Sequence, residues 1–301
     1  MERRLASWLL RCPDCGLWRS ELGREDRLQE SEALDESRRV SGLATLREEN
    51  YRRTLAALRH LGPLAGRRLL DVGCAYGWFL RAAGEAGMEP FGLEPDPAIA
   101  TLATAAARDG HPVWVGYFPA AVPAGETFDV IAFNDVLEHL HDLDSALAAC
   151  RRLLRPGGLL VIAAPDSRGF LFRLACPLAR LGARGLLDRL WQKGYPSPHL
   201  SYFHHGNLRR LMRRHGFVPR REEPLQSLTI QGLWARLHMD RRPSLRSTLS
   251  FAALAASLPA LLWLLPSDQL LGIYATDVAA RSTASADARG EPSGCAGATG
   301  S

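Results

Sequence analysis

Lysine is almost missing from this chain: Lys193 is the only one among 37 basic residues. The net charge of +5 and the isoelectric point near 9.1 therefore come from arginine. No basic stripe is interleaved with aromatics in the way that grips single strands, so a nucleic-acid partner is not expected. Cysteine is sparse too, with six residues at 12, 15, 74, 150, 176 and 295. Only Cys12 and Cys15 are close in sequence, which excludes a disulfide framework and suits a reducing cytoplasm. The opening "MERRLASWLLRCPDC" has too short an apolar run for a signal peptide. A phosphate-cradling P-loop, a G-x-S-x-G elbow and an H-E-x-x-H metal helix are all absent from the sequence. So is any internal repeat.

What is present is 47 % apolar content over 301 residues, enough for one sizeable core with appendages. From residue 41 to 60, Leu43, Leu46, Tyr51, Leu55 and Leu58 recur at helical spacing, and Gly62-Pro63 ends the helix. Apolar runs then alternate with helical patterns: "RRLLDVG", "PFGLEP", "PVWVG", "FDVIAFN" and "LLVIAAP" read as strands. That rhythm predicts an α/β fold, a doubly wound and mostly parallel sheet covered on both faces. Arg155-Pro156-Gly157-Gly158 is expected to break the chain sharply before the fifth strand.

The stretch "LLDVGCAYGWFL", residues 69–80, sets Asp71 at the end of a strand and Gly73 and Gly77 in the bend before a helix. Glycine there removes the Cβ that would block a ligand's approach to backbone N–H groups. A dinucleotide fingerprint would need glycine at 73, 75 and 78, but Ala75 and Trp78 occupy two of those places. Glu94 closes the second strand, where a carboxylate accepts both hydroxyls of a ribose. The pattern points to an adenosine-like ligand without a dominant phosphate.

Together with "FGLEPDP", "FDVIAFNDVLEHLHD", "LRPGGLLVIAAPD" and "PHLSYFHHGNLRRLMRRHGF", the bend resembles the class I S-adenosylmethionine-dependent methyltransferases. Within them it is most similar to the small-molecule branch of ubiquinone-type O-methyltransferases, over about residues 41–225. The resemblance implies a seven-stranded sheet with one antiparallel strand and S-adenosylmethionine as cofactor. It places Asp71, Gly73, Cys74 and Gly77 at the methionine end and Glu94 at the ribose. Asn134 and Asp135 line the cofactor or acceptor side. Ala75 departs from the family's glycine, and fits if the chain there keeps a negative φ. After the third strand, Gly116 and Tyr117 stand where the family often has an acid.

Methyl transfer from a sulfonium needs alignment and, at most, a base for the acceptor proton. His199 in "SPHLSYF" and His139 in "VLEHLHD" are the candidates. The bland alternatives are a lid-holding role for His199 and a structural one for His139. Glu138 beside His139 could ligate a metal, but no third ligand is evident. "RCPDCGLW" supplies half of a zinc ribbon, so zinc at Cys12 and Cys15 competes with a metal-free relic. Residues 1–40 form the knuckle segment, 41–280 the catalytic domain with a lid at 166–200, and 281–301 a disordered tail. Residues 247–267 carry no charge, are interrupted by Pro259, and follow Arg241, Arg242 and Arg246. They read as a pocket cap or as a peripheral membrane contact over 241–267. The expected acceptor is a small or lipid-linked hydroxyl compound. The rival readings are a nicotinamide oxidoreductase, a nucleic-acid methyltransferase and a non-catalytic cofactor-binding protein.

Overall fold

The strand Arg68–Val72 (β4) is buried almost from end to end, with Leu69 and Leu70 fully inaccessible. A strand with no solvent face must lie inside a sheet covered on both sides. It pairs in parallel with Glu89–Glu94 (β5) on one side and Phe128–Asn134 (β7) on the other. Val113–Val115 (β6) extends beyond β5, and Leu154–Pro165 (β8) extends beyond β7, again in parallel. Gln269–Thr276 (β11) then pairs antiparallel with β8, and Phe217–Leu225 (β10) closes the edge. The order is β10-β11-β8-β7-β4-β5-β6, the seven-stranded, doubly wound and mostly parallel sheet that was expected. This computed structural model describes residues 1–22, 36–107, 110–225 and 265–277. The uncharged segment lies outside them except for 265–267, as does the tail 281–301. Among the described residues no helix is long and apolar enough to cross a membrane.

Helices cover the two faces. Glu36–Arg59 (α1) packs Leu55 and Leu58 with Phe79 of Trp78–Glu85 (α2). Pro97–Ala106 (α3) is capped by Asp96, whose carboxylate accepts from the N–H groups of Ala98 and Ile99 at 2.8 and 3.2 Å, with Pro97 in the first turn. Leu143–Leu153 (α4) is capped by Asp142 and buries Leu143, Leu147 and Cys150. The Arg155–Gly158 stretch does not separate α4 from the fifth strand, because β8 already begins at Leu154. Its register against β7 shifts between Phe128 and Val130, so the expected break is absorbed as an irregularity within the strand.

A second sheet was not foreseen. Glu2–Arg4 (β1), Ala6–Arg11 (β2) and Trp18–Ser20 (β3) form an antiparallel set, joined at β3 by the two-residue strand Ser201–Tyr202 (β9). Two helices of the segment expected to be a lid, Phe170–Arg180 (α5) and Gly185–Leu190 (α6), pack Phe172, Ala175, Leu187 and the nearby Trp191 onto Leu9 and Tyr202 of this sheet. Residues 1–22 thus pack against α5 and α6. His204 caps His205–Arg214 (α7), its imidazole accepting from Gly206 and Asn207 N–H.

Two glycines of the bend are required by geometry. A Cβ on Gly77 would lie 2.8 Å from the Ala103 carbonyl oxygen and 3.0 Å from its Cα, both rigid backbone, at a φ of +71°. Gly77→Ala is therefore expected to cost about 3 kcal/mol of stability, combining left-handed strain with overpacking. Urea unfolding of the variant measures this, and a loss below about 1 kcal/mol would contradict the close approach of α3.

Candidate functional site

The bend after β4 is held shut by hydrogen bonds. Gly73 and Cys74 both donate to the Leu93 carbonyl, at 2.7 and 3.0 Å. Gly73 has φ +69° and no room for a Cβ, which would meet the Val136 side chain at 2.7 Å. Ala75 adopts φ +45°, so the condition under which it would fit without strain is not met. The bend demands a left-handed residue at this position, and alanine occupies it at a cost of roughly 1–2 kcal/mol. Glu94 sits across from it: one carboxylate oxygen accepts from Ala75 N–H at 3.0 Å, the other from Asp96 N–H at 3.1 Å. Both oxygens keep lone pairs free. Cys74 sends its thiol away from the bend, into a small cluster with Leu80, Ala103 and Ala107. Burial, then the charges of Asp71 and Glu94, push that thiol's pKa up. Only the backbone of Cys74 faces the site.

Asp71 is buried and accepts from the Asn134 amide at 2.9 Å. Burial pushes its pKa up to about 7, against the pull of Asn134 and Arg47. Arg47, on α1, lies 5.9 Å over the Trp78 ring and 4.0 Å from the Asp135 carboxylate. Sequence reasoning missed it, since one arginine in so many carries no signal; its i,i+4 relation to Tyr51 was the available hint. Asp135 is left-handed at φ +56° and accepts from the Gln269 amide at 2.8 Å. Gln269 in turn accepts from Asn50 of α1 at 3.0 Å. A contact across 219 residues of sequence has no local trace.

Beyond Asp135 the chain makes a 3₁₀ turn, Leu137–His139, against the lid's returning end. Glu138 is fully buried, and among the described residues neither carboxylate oxygen has a hydrogen-bond partner. His139 Nδ1 lies 3.0 Å from the Pro198 carbonyl and 3.2 Å from Ser197 Oγ. Its ring is edge-on to His199, with centroids 4.8 Å apart. His199 is nearly inaccessible, and burial, then neighbouring His139, lowers its pKa to about 3. At neutral pH it is an uncharged imidazole. One donor atom from each of Glu138, His139 and His199 falls within 4.8 Å of the others. Two imidazoles and a carboxylate are a donor set for a divalent transition ion. The third candidate ligand that the sequence did not pair with Glu138 and His139 is thus His199.

Among the described residues, no group of three metal-type side chains forms at the knuckle. Cys12 is buried in the main core, and Cys15 packs against it.

A glycine-cleared bend beneath a carboxylate, in this strand order, defines the class I methyltransferase architecture. The chain belongs to the S-adenosylmethionine-dependent methyltransferases, for residues 44–222 match the family described as "Methyltransferase domain". The ubiquinone biosynthesis O-methyltransferase of Rhizobium rhizogenes is 35 % identical over 118 residues, 38 % of this chain and 46 % of that protein. The one from a Methylobacterium species is 35 % identical over 131 residues, 40 % of this chain and 52 % of that protein. The chain thus spans about half the length of these curated relatives. A chain from the complex of the Haloferax volcanii Trm112 methyltransferase activator with a methyltransferase superposes with a TM-score of 0.54 at 15 % identity, covering 80 % of this chain and 94 % of that one. Magnesium protoporphyrin IX methyltransferase from Synechocystis gives 0.50 at 14 % identity, over 78 % and 86 %. At those identities the likeness is one of fold.

Proposed function

We propose that this enzyme transfers the methyl group of S-adenosylmethionine to a hydroxyl of a small or lipid-linked acceptor. The observation that carries the reading is the buried His199, grouped with Glu138 and His139 a few residues past the end of β7. Its neutral imidazole has a lone pair for the acceptor proton, although burial makes it a weak base. That these relatives are named ubiquinone biosynthesis O-methyltransferases supports a hydroxyl over an amine.

The residues around the bend fit the cofactor. Glu94 would take the ribose hydroxyls, and Arg47 would pair with the cofactor's carboxylate. Asp71 and Asp135 would offset its ammonium and sulfonium charges. Bound there, S-adenosylmethionine supplies a methyl carbon already activated for in-line displacement. The protein's own contribution is to orient the acceptor oxygen, exclude water and receive the proton at His199. The test is incubation with methyl-labelled S-adenosylmethionine and a panel of phenols, catechols and long-chain alcohols. Label is expected in an ether product. Tight cofactor binding without label in any acceptor would favour the non-catalytic alternative.

A second reading is favoured by the orphaned carboxylate alone: Glu138, His139 and His199 hold a divalent cation that lowers the acceptor hydroxyl's pKa. Under this reading isothermal titration of the intact protein with Mn²⁺ shows one site, and Glu138→Gln weakens it at least 10-fold. Removal of metal by EDTA then abolishes transfer and Mn²⁺ restores it. Indifference to EDTA would leave the proton-acceptor reading in sole possession.

A further inference from the structure

The amide of Gln269, the first residue of β11, bridges two parts of the site that lie far apart in the chain. We infer that Gln269 is a positioning residue for the cofactor: it holds the Asp135 carboxylate and, through Asn50, the turn of α1 that carries Arg47. The inference rests on the reading of Asp135 and Arg47 as partners of the cofactor's charges.

Three observations carry it. Gln269 Nε2 donates to Asp135 Oδ1 at 2.8 Å, and Asn50 Nδ2 donates to Gln269 Oε1 at 3.0 Å. The chemistry fixes both directions, because an ionised carboxylate only accepts. The amide must therefore turn its NH₂ toward Asp135 and its oxygen toward Asn50. Asn50 and Arg47 stand three residues apart on α1 and so share one side of the helix. The two oxygens of Asp135 are divided between these neighbours: Gln269 takes Oδ1, and Oδ2 lies 4.0 Å from the Arg47 guanidinium. At that separation the ion pair is loose, and a guanidinium with five N–H donors keeps capacity for a second anion.

The backbone fixes both ends of the bridge. Asp135 N–H donates to the Ala163 carbonyl of β8 at 2.9 Å, which anchors the left-handed residue to the sheet. Gln269 is held between β8 and β10, opposite Pro165 and Leu225, and its N–H donates to Ser267 Oγ at 3.2 Å. Asn50 is buried, so water replaces a lost Gln269 partner poorly there. Glutamine suits the place because one amide both donates and accepts. Leucine does neither, and glutamate offers only acceptors to a carboxylate that needs a donor. Without the bridge, Asp135 and α1 lose their common restraint, and both charged ends of the cofactor lose a positioned partner.

A double-mutant cycle read by calorimetric titration of the full chain with S-adenosylmethionine tests the inference. Gln269→Leu is expected to weaken binding about 10-fold, and Gln269→Glu further, because two carboxylates then meet at hydrogen-bond distance. Asp135→Ala alone should weaken binding by about 10-fold or more. In that background Gln269→Leu should cost less than about threefold, since only the Asn50 side of the bridge remains to be lost; a residue that merely supported the sheet would give losses that add. Urea unfolding reports whether each variant is folded, and Gln269→Met takes the place of Gln269→Leu if that one is not. If Asp135→Ala weakens binding while Gln269→Leu or Gln269→Glu stays within twofold of wild type, the inference is overturned and the cofactor role of Asp135 stands. Losses that add in the double variant overturn it in the same way. An Asp135→Ala affinity within twofold of wild type refutes the cofactor role of Asp135, and the inference with it.

Discussion

Glu94→Ala is expected to weaken S-adenosylmethionine binding by a factor of roughly 10²–10⁴. The carboxylate works on two sides at once. Toward the protein, its oxygens accept the N–H groups of Ala75 and Asp96 at 3.0 and 3.1 Å, tying the bend to the start of α3. Toward the ligand, the remaining lone pairs face where the ribose hydroxyls would lie. Hydrogen bonds to a charged group are worth about 1.5–3 kcal/mol each, and two are lost with the ribose. Each 1.4 kcal/mol is a factor of ten in affinity. Alanine also leaves the strained turn at Ala75 without its restraint, so part of the loss comes from a looser bend. Glu94→Gln separates the contributions, since it keeps one acceptor oxygen and should fall between the two. Calorimetric titration with S-adenosylmethionine and S-adenosylhomocysteine checks both variants. An affinity within twofold of wild type would refute the ribose assignment.

The second large effect falls on turnover. His199→Ala should reduce the rate of methyl transfer about 10²–10⁴-fold while leaving cofactor affinity within a few-fold, the range in which a positioned proton acceptor contributes. The affinity is expected to hold because His199 is not among the side chains proposed to hold the cofactor. The lid reading predicts a different pattern. If His199 only held the lid through Gln192 and Tyr202, His199→Gln would keep a polar side chain in the corner and retain much of the rate. Single-turnover rates of the Ala and Gln variants distinguish the two, and equal retention of activity would remove His199 as the working group.

Much of this was readable without coordinates, for reasons that differ by element. The parallel strands announced themselves because strands buried on both faces read as unbroken apolar runs, as "RRLLDVG" and "FDVIAFN" do. Asp71, Gly73, Gly77 and Glu94 were legible because chain direction in a doubly wound sheet puts every strand end on the same edge, where ligands bind. The left-handed turn at Ala75 was not, since alanine gives no sign that φ is positive. Nor was the lid's support: β3 and β9 pair across some 180 residues through two short strands whose own patterns are too brief to count.

By itself, then, the sequence determined the fold class and the glycine-spaced bend at a strand end, because these depend on local pattern and strand order. Tertiary structure alone decided the rest. It brought His199 of the lid to Glu138 and His139, set Arg47 of α1 beside Asp135, and joined Asn50 to Asp135 through Gln269. Those contacts join segments tens to hundreds of residues apart, and burial of α5 and α6 against the amino-terminal sheet, together with hydrogen bonds to Pro198, His199 and Leu200, holds the His199 side of them in place. A buried carboxylate and a dry imidazole acquire their chemistry from what surrounds them, and that surrounding does not exist until the chain has folded.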